Sequence, residues 1–231
     1  MEPFSISVVG GASMIAAVVL ALVALSFTLP AAARLRWVGL IAPVWLFFQT
    51  LLAVNEFYIV FNSWPPRFLL AVGPPVLCLI FLFSYSRTRL AILDLPFFWL
   101  TLVHVVRLPV EVALWALFHE GLVPVEMTFE GLNYDILVGL SAPAIAWFFA
   151  REPGVQKRWL LLWNVVGLCL LVHIVGRGIL SAPLPVQMLA FDRPNYGVMY
   201  FPYIWIPAFV VPLAFFAHVA SLWKLRSNVR T

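Results

Sequence analysis

Charge and cysteine are what this sequence has least of. Only 10% of its 231 residues are Asp, Glu, Lys or Arg, while 64% are hydrophobic. Soluble domains carry about 25% charged residues, so a chain with this composition cannot cover a water-facing surface and belongs in lipid. The two cysteines, Cys78 and Cys169, both sit inside apolar runs. That argues against a disulfide framework and for two small hydrophobes. No cluster of Lys and Arg is interleaved with aromatics in a polar segment, which excludes nucleic acid as a partner. There is no Gly-x-x-x-x-Gly-Lys nucleotide loop, no Gly-x-Ser-x-Gly elbow and no His-Glu-x-x-His, so three common catalytic signatures are missing. The only lysines, Lys157 and Lys224, stand at the edges of apolar runs, which excludes a Schiff-base link to retinal inside a bundle.

In place of these, the sequence has long apolar runs. A bilayer crossing needs about 20 such residues. Seven stretches are candidates: Ile6–Leu29, Trp37–Val60, Phe68–Ser84, Phe97–Phe118, Ile136–Ala150, Trp159–Leu180 and Tyr200–Trp223. The expected fold is therefore all-α, a single transmembrane domain of seven helices over residues 1–231. The first run is expected to be retained and not cleaved as a signal peptide, because MEPFSIS carries an acid and no base.

The bases set the expected orientation. Arg34, Arg36, Arg87, Arg89, Arg151, Lys157, Arg158, Lys224, Arg226 and Arg230 fall on one side, ten of the 14 in the chain. By the positive-inside rule that side is cytoplasmic, so the amino terminus is outside and the carboxyl terminus inside. A bacterial-type inner membrane is the expected location.

The outer connections carry a repeated phrase. Pro124 to Asp135 reads PVEMTFEGLNYD, and Pro185 to Gly197 reads PVQMLAFDRPNYG. Upstream, LVHVVR at Leu102–Arg107 parallels LVHIVGR at Leu171–Arg177. Together they suggest a helical hairpin used twice, spans four and five and then six and seven, in parallel orientation. Asn133 and Asn195 stand where each new helix starts, as N-caps do. Nearby acids suit the positive end of the helix dipole. The loop 119–135 is acidic, has no Lys or Arg, and interleaves its acids with Val123, Val125, Met127 and Phe129. It is expected to fold back over the bundle, with the loop 181–199 beside it.

Ionisable residues inside the runs are the candidate site. His104, Arg107 and Glu111 lie at helical spacing on span four, and Arg107 and Glu111 are expected to pair. His173 and Arg177 lie one turn apart on span six, and Gln49 and Glu56 share a face on span two. His218 is expected to be an interfacial side chain, and Asn164, opposite His173, a packing residue. Intramembrane charge is costly and faces the bundle interior. The leading expectation is an outward-facing polar cavity that binds, and moves, a small ligand or cation through Glu111, Arg107, His173, Arg177, Glu56 and His104, with membrane lipid around it. A rival is a divalent-metal enzyme acting on a lipophilic substrate at the outer leaflet, with ligands drawn from His119, Glu111, Glu126 and Glu130. A third is a structural subunit of a membrane complex.

Overall fold

In a computed structural model the chain is all-α. It describes residues 7–150 and 153–227, with residues 153–156 described by their backbone alone. The expectations that touch Ile6, Arg151 and Arg230 lie outside the described residues.

Helix α1 (Val8–Thr28) starts on Ser7, whose hydroxyl accepts from the Gly10 N–H at 3.3 Å. Its buried stripe is made of small residues, Gly10, Ala17, Ala21 and Ala24, with Met14. Small side chains let helix backbones approach closely where hydrophobicity gives no drive. Ala113 and Ala116 of α7 (Arg107–His119) are buried in turn, and α1 packs along that helix. Pro30 ends α1 by holding Leu29 extended at ψ 143°, as the residue before a proline is. The chain then returns through α2 (Ala31–Arg36), a π-turn at Trp37–Ile41 and α3 (Ala42–Val54).

Proline shapes the far side of the bundle in the same way. A π-turn at Ile206–Val210 precedes α10 (Val211–Ser227), where Pro212 has no N–H to give the carbonyl four residues back. That carbonyl, on Ala208, instead accepts the Trp45 indole N–H at 2.9 Å. In return, the Trp205 indole donates to the Leu46 carbonyl at 3.2 Å. These two bonds lace α3 to the start of α10.

Among the described residues, five helical stretches are long and apolar enough to cross a membrane: Val8–Thr28, Ala31–Val54, Phe97–His119, Lys157–Ser181 and Ile206–Ser227. A sixth is reached only if α4 (Leu69–Ser84) and α5 (Ser86–Leu93), which meet at an 84° bend, are counted together. This is the helix set of a membrane protein, and its outer faces carry exposed Val23, Phe27, Leu51, Leu77, Leu140 and Val172. The remaining expected span is the short helix α8 (Asp135–Phe148), 14 residues long.

The reason for that shortness positions the site. The loop 119–135 does not lie on top of the bundle. It dips inward, burying Val123, Met127, Thr128 and Asn133, and delivers Asp135 against Arg107 at the other end of α7. A helix of 13 residues spans about 20 Å at 1.5 Å per residue, so α8 begins far from the His119 end of α7. The second connection joins α9 (Pro153–Ser181) to the π-turn before α10 and packs on the first. The N–H groups of Tyr196 and Gly197 both donate to the Leu122 carbonyl, at 3.0 and 2.9 Å.

Candidate functional site

The span that carries His104 and Arg107 is interrupted where they stand. α6 (Phe97–Leu102) passes into a 3₁₀ turn at Val103–Val106 before α7 begins, just ahead of Pro109. At three residues per turn, side chains three apart eclipse. Thr101, His104 and Arg107 therefore share one face, and all three are buried, with Glu111 one α-turn further on.

Arg107 is the hub. Its Nη1 approaches Asp135 Oδ1 at 2.7 Å, a charge contact in which no N–H is lined up with that oxygen. Nη2 of the same guanidinium lies 3.1 Å from His218 Nε2. An arginine can only donate, so Nε2 is the acceptor and the His218 proton is on Nδ1. That proton goes to Asn164 Oδ1 at 3.0 Å. The assignment is consistent at its far end, since Asn164 Nδ2 donates to the Leu160 carbonyl at 2.8 Å. His218 in this arrangement is neutral.

Two further members complete the cluster. His104 stacks on His218 with ring centroids 3.9 Å apart, and Trp163 closes over both rings. Neither nitrogen of the His104 ring has a hydrogen-bond partner, although the residue is fully buried. On the other side, Asn133 Nδ2 donates to Glu111 Oε1 at 2.5 Å and to the Met127 carbonyl at 3.0 Å. Its Oδ1 accepts the Asp135 N–H at 3.1 Å. Asn133 is thus a cap and a bridge together. Glu111 Oε2 has no partner.

Glycines make room for this arrangement. An added Cβ on Gly167 of α9 would stand 2.6 Å from the His218 ring. One on Gly139 of α8 would press on Leu108 and on the Arg107 stem.

The sequence expectations divide sharply against this geometry. Arg107, Glu111 and His104 belong to the cluster, but the ion pair joins Arg107 to Asp135 and not to Glu111. His173 is exposed and Arg177 half-buried, because α9 turns the stripe Leu160, Asn164, Gly167, Leu171 and Ile174 inward. Asn164, expected only to pack, is the α9 residue that enters the cluster. His218, expected at the interface, is at the centre. Glu56 is exposed with φ 57°, since α3 ends at Val54 before reaching it. Gln49 is buried and accepts the Tyr58 hydroxyl. The segment α6–α7, α8 with its preceding connection, α9 and α10 build the site, and α3 stays outside it.

The metal candidates His119, Glu126 and Glu130 are spread from the end of α7 along the connection to α8. His119 Nδ1 lies 3.0 Å from the Trp115 carbonyl, and Glu130 accepts the Trp115 indole at 2.8 Å. Glu126 is half-buried on its own short turn. Among the described residues no three His, Cys, Asp or Glu side chains come together as metal ligands.

Fold and cluster define the class: an α-helical membrane protein with one buried ionic centre shared by four of its helical segments. The chain belongs to the family described as Domain of unknown function (DUF8737), whose model matches residues 65–226. The match takes in every member of the cluster and leaves α1, α2 and α3 outside. No curated protein and no solved structure matches the chain.

Proposed function

We propose that this is a multi-pass inner-membrane protein of seven spans, with its amino terminus outside, that binds a small cation at the Arg107 cluster. The observation that supports this most is a charge imbalance. Glu111 and Asp135 supply two carboxylates, and both are buried to within a few per cent of full burial. Within the buried cluster Arg107 supplies the one positive charge, since the hydrogen bonds of His218 fix it as neutral; His173, exposed on α9, is the other base within electrostatic reach of Asp135. An uncompensated charge away from water is strongly unfavourable, so one further cation, the proton being the smallest, balances the site. Glu111 Oε2, a buried carboxylate oxygen with neither a hydrogen bond nor an ion pair, is the atom that receives it. The members of the cluster touch at hydrogen-bond distance, which restricts the ligand to an ion. On this reading the two outer connections are copies of one hairpin element, and the first copy has been drawn inward to supply Asn133 and Asp135.

Glu111→Gln tests the proposal. The amide keeps the shape and can still accept from Asn133, but the extra negative charge is gone. The variant should fold with an equal or higher unfolding temperature in detergent and should lose uptake. Proton uptake read with a pH indicator, together with calorimetric titration by Na⁺ and K⁺ against a choline control, should give one cation per chain for wild type and none for the variant. A variant that fails to insert or unfold reversibly, or that keeps the uptake, leaves the cluster as a packing device and ends the proposal.

A further inference from the structure

One cavity shares no lining residue with the ionic cluster. It is a groove of about 530 Å³ between α1, the α2–α3 arm, α4, α5 and α10, at the end of the bundle that carries Arg34, Arg36, Arg87 and Arg89. Its wall is hydrocarbon, from residues such as Leu25, Leu29, Ile41, Leu79 and Phe216. Two of the polar groups that reach it are already spent. The Trp45 indole is bonded to Ala208, and the Thr88 hydroxyl to the Leu82 and Tyr85 carbonyls. A ligand inside it therefore makes no hydrogen bonds to those side chains and must itself be apolar.

The rim has the opposite character. Pro30, Ala33 and Trp37 line the groove from α2, and Arg34, on that same helical face, is exposed with its Nη2 at 3.3 Å from the carbonyl of groove-lining Leu29. Thr88 and Ala91 line it from α5, and Arg87 beside them is exposed. Asp94 caps the opposite end of α5. An apolar trough with arginines at one end matches a molecule with a hydrocarbon tail and an anionic head. Guanidinium binds phosphate in a planar, two-pronged way, and arginines at a membrane surface attract anionic lipid.

We propose that this groove is a site for an anionic phospholipid, with an acyl chain lying between α1, α4 and α10 and the phosphate held by Arg34 and Arg87. It lies mostly outside the ionic cluster and does not depend on the cation reading.

The test uses the full chain in nanodiscs containing equal amounts of phosphatidylglycerol and phosphatidylcholine with the same acyl chains. After transfer to mild detergent, the lipids retained per chain are counted by native mass spectrometry. Wild type should keep phosphatidylglycerol in preference, and Arg34→Ala with Arg87→Ala should lower that preference by roughly thirtyfold, the effect of two surface arginines. Both substitutions are at exposed positions and leave the fold intact. In a Cys169→Ser background, phosphatidylglycerol should slow the reaction of N-ethylmaleimide with Cys78, which lines the groove, whereas glycerol phosphate should not. Equal retention of the two lipids, an unchanged preference in the double variant, protection by glycerol phosphate alone, or protection that accompanies dimer formation without lipid would each overturn the proposal.

Discussion

Gly167 and His218 are a matched pair of residues on different helices. The imidazole occupies the space where a side chain at 167 would begin, at 2.6 Å from an ideal Cβ. The ring cannot retreat, because it is held by Arg107 on one side and Asn164 on the other, with His104 stacked on its face. Gly167→Ala should therefore cost about 1–3 kcal/mol, the usual penalty for overpacking a core, as a lowered unfolding temperature in detergent. His218→Ala in the same chain should recover much of that loss, since neighbours in contact are not additive. If the two single effects simply add, the ring is not where the cluster needs it. The same pair shows what the sequence could and could not reveal. Arg107, His104 and Glu111 were legible because ionisable residues in an apolar run have no other use. His218 was misplaced at the interface because proximity to Lys224 in sequence says nothing of depth once a π-turn has shifted the helix.

At the scale of elements, α8 and its connection carry the main departure from the sequence reading. Asn133 and Asp135 have the spacing of an ordinary helix start, and they do form one. No pattern in the sequence states that this start lies deep in the bundle. The clue was length: α8 has 14 residues, fewer than the about 20 a crossing needs, and the missing depth is filled by the connection. The two copies of the phrase then differ in consequence. Asn133 bridges Glu111, Met127 and Asp135, while Asn195 donates only to the Gly178 carbonyl, at 3.2 Å. Loss of a cap costs about 1 kcal/mol, and leaving buried partners unpaired adds about 1–3 kcal/mol. Asn133→Ala should thus destabilise more than Asn195→Ala in the same unfolding assay, and only Asn133→Ala should alter cation uptake. Asn195 caps nothing, since its Oδ1 has no partner, so equal losses at both sites would mean that the bridge through Asn133 adds nothing beyond one ordinary hydrogen bond.

For the whole molecule, orientation follows from where the bases gather. Helix α2 carries Arg34 and Arg36, the first turn of α5 carries Arg87 and Arg89, and α10 ends with Lys224 and Arg226. The connections at the other end hold Glu120, Glu126, Glu130 and Asp192, with Arg193 lying over the Phe118 ring and donating to the Phe118 carbonyl. Charge near the ends of spans sets topology during insertion because moving Lys and Arg across the membrane is disfavoured. The arginine-bearing end should accordingly face the cytoplasm, which also places the proposed phospholipid groove in the inner leaflet, where anionic lipid attracts bases. Single cysteines report this directly. With Cys78 and Cys169 replaced by serine, Asp192→Cys should react with a membrane-impermeant maleimide added to intact spheroplasts. Arg36→Cys, exposed on α2, should react only after the membrane is opened. The reverse pattern would invert the molecule, move the groove to the outer leaflet and turn the inward-dipping connection toward the cytoplasm.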